Sequence, residues 1–198
     1  MASTVRYAVI GTPRGGTSML MRAIDAGGLP VYRDVVRDDR AVREATRSNP
    51  HGYFEPPPGA FGAASFPRNI PNEHAFKMFV PDAWVLCRAK SLFRVAFLRR
   101  DPVAVLASYE QMFGRVMKQR LGSHGLQRSD LTPGGYDRMM RTALDQVKAA
   151  AGVESVVELT YEAILDNPEH EFGRLVEARW PIDPTAAAAV PSRSLNHA

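Results

Sequence analysis

A glycine-rich turn carrying an arginine, followed far along the chain by an arginine–serine pair, gives this sequence two groups of residues able to bind anions. In Val9-Ile10-Gly11-Thr12-Pro13-Arg14-Gly15-Gly16-Thr17-Ser18-Met19-Leu20 an apolar run passes through the turn into a segment of helical periodicity. Gly11 and Gly16 stand at the spacing of a phosphate-binding P-loop. There, small residues let consecutive backbone N–H groups converge on one group, and a helix N-terminus adds partial positive charge. Thr17 occupies the place of the usual lysine, and the nearest strong cation is Arg14, which is always protonated. Pro13, Arg14, Gly15, Gly16, Thr17 and Ser18 thus form a candidate cradle for an anion other than ATP.

The second group is Arg99-Arg100-Asp101-Pro102 with Ser108, eight residues after Arg100. Arg100 falls where an apolar strand gives way to a helix and Ser108 about two turns inside that helix, so a guanidinium and a hydroxyl are expected to share one small polar site. That pair suits a second phosphate. Arg99 is expected to point away if the strand persists. His51, His74, His124, His170 and His197 fall into no metal-ligand spacing, and no His-Glu-x-x-His pattern occurs, so no metal is expected.

These residues need elements to position them. Residues 6–11 read as a strand and 18–26 as a helix with Leu20, Ala23 and Ile24 on one face, closed by Gly27-Gly28. A helix is expected at 38–47, then an irregular stretch at 51–72 rich in aromatics and prolines, read as a binding wall. Strands follow at 75–80 and 93–98, separated by a short helix with Trp84 and Leu86. Asp101 should cap a long helix with Pro102 at its first position. Residues 121–135 read as a polar loop, 136–150 as helix, 155–159 as strand, and 161–165 and 168–179 as helices. The alternation predicts an α/β fold, a P-loop NTPase-like parallel sheet flanked by helices.

The 198 residues, 45% of them hydrophobic, fit one domain spanning 1–198. The lone Cys87 excludes an internal disulfide, and its apolar setting suits a packed thiol. No segment has signal-peptide character or membrane-spanning length, so a cytoplasmic protein is expected. The net charge of +4 comes from arginines scattered along the chain, with no basic cluster interleaved with aromatics. It is read as a bias towards anionic ligands, with no nucleic acid among the partners.

Thr12-Pro13-Arg14-Gly15-Gly16-Thr17-Ser18 resembles the 5′-phosphosulfate loop of the P-loop sulfotransferases that use 3′-phosphoadenosine 5′-phosphosulfate (PAPS). Phe97-Leu98-Arg99-Arg100-Asp101-Pro102 with Ser108 resembles that family's 3′-phosphate motif. Asn49-Pro50-His51-Gly52-Tyr53-Phe54-Glu55 and Tyr161-Glu162-Ala163-Ile164-Leu165-Asp166-Asn167-Pro168 are similar to segments of bacterial members. The likeness covers most of the chain up to about Trp180. The chain is short and lacks the C-terminal Arg-Lys-Gly segment with which cytosolic animal members close over the nucleotide. Arg193 is the only basic residue of the tail and the one left there to reach it.

The resemblance implies a sulfotransferase that moves a sulfuryl group in line from PAPS to a hydroxyl or amine of a small-molecule or glycan acceptor, releasing PAP. A sulfuryl group carries less negative charge than a phosphoryl group, so backbone donors and one or two cations suffice without magnesium. The acceptor's proton needs a base. Glu55 is the first candidate, by its place in the wall and by the Gly-x-x-Glu of similar bacterial proteins. His74 is the second, since animal members use histidine. Lys77 interrupts an apolar run and is a candidate to contact the transferred group or its bridging oxygen, or else guards an edge strand. Arg14 completes the catalytic set. Two alternatives stand: a P-loop nucleotide kinase, disfavoured by Thr17 in place of lysine, and a nucleotide-binding module without catalysis.

Overall fold

The first apolar run forms strand β1, Val5–Gly11, and its alternation sends Ala8 and Ile10 into one core and Tyr7 and Val9 into another. In the computed structural model, which describes residues 5–36, 39, 53–57, 61, 66, 69–89, 91–113, 121–122 and 124–191, β1 is the middle strand of a five-stranded sheet. Its order is β2-β3-β1-β4-β5, with β2 at Val31–Tyr32, β3 at Ala75–Phe79, β4 at Leu92–Arg99 and β5 at Val153–Thr160. Every neighbouring pair is parallel. A parallel sheet needs crossover connections, and these cover both faces with helices.

On the Tyr7 and Val9 face lie α1 (Thr17–Ala26), α4 (Tyr161–Asp166), α5 (Pro168–Glu177) and α6 (Pro184–Ala188). They contribute Leu20, Ile24, Ile164, Phe172 and Leu175 to that core. On the other face α2 (Pro102–Phe113) and α3 (Pro133–Ala149) bury Val105, Tyr109, Tyr136, Met140 and Val147. A 3-10 helix at Val80–Arg88 adds Ala83, Val85 and Leu86. The chain moves outward from β1 to β2 on one side and to β4 and β5 on the other. The crevice beyond the carboxyl ends of β1, β3 and β4 is therefore the place where such sheets receive ligands. No helix of the described residues is long and apolar enough to cross a membrane.

Several expectations are corrected. Two-residue β2 and the short α6 are too brief to leave a periodic signal. Because β2 lies outside β3, Lys77 is on an inner strand and does not guard an edge. Cys87 is exposed. A 3-10 turn repeats every three residues, so Trp84 and Cys87 share the outer face while Ala83, Val85 and Leu86 fill the core. In the 51–72 stretch, Phe61 and Phe66 pack on Phe76 and Phe93 in the core instead of walling a site. Helix α3 begins at Pro133, capped by the Thr132 side chain on Gly135 N–H, so it takes the end of the expected 121–135 loop. Most of the 38–47 helix lies outside the described residues.

Candidate functional site

The 12–18 loop leaves β1 through a turn closed by Gly15 N–H on Thr12 O at 3.0 Å. Two of its residues are left-handed, Arg14 at φ 63° and Gly16 at φ 90°. Gly16 is required twice over, because a Cβ there would stand 2.3 Å from the Tyr161 ring. Gly16 also starts α1 with no side-chain cap and no acidic residue in the first turn. The leading N–H groups and the positive end of the helix dipole are thus offered to a ligand.

Arg14 has a β-carbon in the left-handed region, a conformation that costs on the order of 1 kcal/mol and needs surrounding contacts to hold it. Two contacts do so. Its Nε donates to Ser108 Oγ at 2.9 Å, and its carbonyl accepts from Arg100 Nη1 at 3.0 Å. Ser108, 5% exposed, is carried by α2. Arg100 follows β4, with its guanidinium 4.4 Å above the Tyr161 ring and its backbone N–H on Tyr136 Oη at 3.1 Å. A cavity of about 240 Å³ opens beside it, lined in part by Ala104, Tyr161 and Leu165. Burial first, then the neighbouring Arg100, lowers the Arg14 pKa from its ordinary value. Two guanidiniums held together in this way repel each other, and an anion between them relieves that repulsion.

The expected sharing of one site by Arg100 and Ser108 is modified, since Ser108 holds Arg14 and Arg14 joins the two groups. Asp101 acts as the expected cap, its carboxylate accepting Val103 N–H at 2.8 Å and its carbonyl accepting Val105 N–H at 3.0 Å. Arg99 points elsewhere, to Asp137.

On the β3 side Lys77, 2% exposed, reaches up to the same loop. Its Nζ donates to Ser18 Oγ at 3.2 Å and to the Tyr53 carbonyl, and it lies 3.5 Å from Glu55 Oε1. Ser18 Oγ in turn donates to Tyr53 O at 3.0 Å, and Asp34 N–H bonds Glu55 O at 2.7 Å. The 53–55 segment is thereby tied to α1, to β3 and to the residues that follow β2, with Phe54 buried at φ 53° beneath the Arg33 guanidinium. Glu55 is at the site. His74 is not brought to it. It precedes β3 at the amino end of the sheet, where its Nδ1 meets Asn72 O at 2.8 Å, while the 12–18 loop is at the carboxyl end. Arg193 lies outside the described residues.

Tyr109, Tyr161 and His124 went unread in the sequence as site residues. Tyr109 adjoins Ser108 on α2 and Tyr161 opens α4. Tyr161 sits at a strand-to-helix junction and Tyr109 directly beside a named residue, which is the signal that marks them. Burial pushes both phenols up, Arg14 opposing it at Tyr109 and Arg100 opposing it at Tyr161. Among the described residues no three His, Cys, Asp or Glu side chains are grouped as a metal ion would need. No protein-family profile matches the chain, and no curated protein matches it.

Proposed function

We propose that the protein is a PAPS-dependent sulfotransferase of P-loop type. The observation that carries the reading is the gathering of three cations, Arg14, Lys77 and Arg100, on the uncapped start of α1. Such a set fits a ligand with two separate anionic groups. Loop residues 13–18 with Arg14 would take the 5′-phosphosulfate, and Arg100 with Ser108 the 3′-phosphate. PAPS supplies an activated sulfuryl group. Arg14 and the first N–H groups of α1 stabilise charge on the oxygens they face, and they do so in a buried place where such donors act strongly. Lys77 is aimed by Glu55 and Ser18 at the same oxygens. The buried loop and Tyr161 exclude water from this end of the site.

Calorimetry tests the nucleotide half. PAP should bind far better than AMP or ADP, because only PAP uses both anion groups. Arg100→Ala should abolish that preference at a cost of about 2–5 kcal/mol. Equal affinity for PAP and AMP in the native protein would overturn the reading. Chelation by EDTA should leave sulfuryl transfer unchanged, since the charge is met by side chains and N–H groups. A strict magnesium requirement would favour a kinase.

A further inference from the structure

Three rings meet at the carboxyl end of β3. Phe79, its last residue, is in register with Gly11 and so stands beside the entry to the 12–18 loop. The His124 imidazole packs against Phe79 with ring centroids 5.5 Å apart at 64°, and Lys77 Nζ lies 5.4 Å from the same phenyl ring. Tyr109 brings its hydroxyl within 3.1 Å of His124 Nδ1. Tyr109 follows Ser108, whose hydroxyl holds Arg14, so His124 is linked through α2 to the anion site. The backbone around it is a built turn. His124 N–H and Leu126 N–H both bond Leu121 O, at 3.0 and 2.9 Å, and Leu121 and Leu126 are buried in the core. Gly125, at φ 69°, sits against Pro81, where a Cβ would be 3.0 Å away.

Resting on the sulfuryl-transfer reading, we propose that His124 is the general base for the acceptor, with Tyr109 fixing its ring. With its proton on Nδ1, the imidazole donates to Tyr109 Oη and turns Nε2 into the accepting atom. The acceptor oxygen forms a bond to sulfur as the bond from sulfur to the bridging phosphate oxygen breaks. The electron pair leaves with PAP, and the hydroxyl proton ends on Nε2, from which solvent removes it. His124 is half-buried, open enough to be reached. Glu55 is less suited to the task. Protonating it would dissolve its ion pair with Lys77, whose ammonium is almost completely buried. The half-buried Asp82 follows Pro81, against which Gly125 sits, in the first turn of the 3-10 helix.

The test uses the full chain. In proton–carbon NMR spectra, with His124→Gln identifying the signal, saturation with PAP should shift the His124 ring resonances. It should also raise their titration midpoint by roughly half a unit or more, because anionic charge arrives nearby. In transfer assays His124→Gln should lower kcat by about 10²–10⁴ with PAP affinity kept. Glu55→Gln should lose less than about tenfold, and Tyr109→Phe should displace the acidic limb of the kcat profile. An unresponsive ring in PAP-saturated protein, or a near-native rate for His124→Gln, overturns the assignment while leaving the nucleotide reading intact. Failure of PAP to bind the native protein removes both.

Discussion

At the scale of single residues, the site depends on positions where one atom decides the outcome. Gly16→Ala combines a left-handed backbone with a Cβ 2.3 Å from Tyr161. The backbone term alone costs on the order of 1–2 kcal/mol, and the ring must also move. The variant should therefore melt earlier and lose PAP binding. The paired variant Tyr161→Ala, Gly16→Ala should regain part of the stability if the contact is the cause. Lys77 and Glu55 give a second contrast. Replacing both partners, as Lys77→Met with Glu55→Leu, should change stability by no more than about 1–2 kcal/mol, since a buried ion pair exchanged for apolar groups is close to neutral. The single Lys77→Met should cost more, because it leaves the Glu55 carboxylate facing an apolar side chain. Urea unfolding of the three proteins measures both effects, and PAP affinity should fall wherever Lys77 is gone.

At the scale of elements, each anion group depends on a strand-to-helix junction. The turn from β4 into α2 is fixed by Asp101 and Pro102, and it sets where Arg100 and Ser108 fall. Asp101→Ala should destabilise the protein by about 1 kcal/mol and weaken PAP binding through misplacement of Arg100, while leaving the Arg100 side chain intact. A melt combined with calorimetry reads both. This junction was legible in the sequence because its determinants are local, namely a capping carboxylate, a proline and a change of periodicity. The loop between β1 and α1 was legible for the same reason. The strap at 53–55 was not, since Glu55 is placed by a bond from Asp34 and by its ion pair with Lys77, and Tyr53 by a bond from Ser18, residues far away in the chain.

At the scale of the whole molecule, the two cores bury four phenols whose pKa values are raised, Tyr7, Tyr109, Tyr136 and Tyr161, with desolvation the largest cause in each. A phenol raised above its unfolded value contributes its stability in full below pH about 10 and loses it as pH climbs through the folded value. The protein should unfold cooperatively in alkali. The phenolate absorbance of these four tyrosines should appear together with the loss of helical ellipticity, and a phenolate signal from them in fully folded protein would count against the burial.

The sequence by itself determined what is written in neighbouring residues. That covers the β1 and β4 strands, the turn into α1, the capped start of α2 and the nomination of Arg14, Arg100, Ser108 and Lys77, while Glu55 was named by its aromatic stretch together with a resemblance. Side-chain alternation and helix caps act over a few residues, so a linear reading captures them. Strand order and the direction of a residue at a strand's end are set by pairing between distant segments, and these only the tertiary structure decided. It left His74 at the far end of the sheet, joined Ser108 to Arg14, turned Cys87 outward on a 3-10 face and put Lys77 inside the sheet. It also set His124 against Phe79 and Tyr109. That meeting needs β3, α2 and the 121–126 turn to converge, and no local pattern along the chain encodes such convergence.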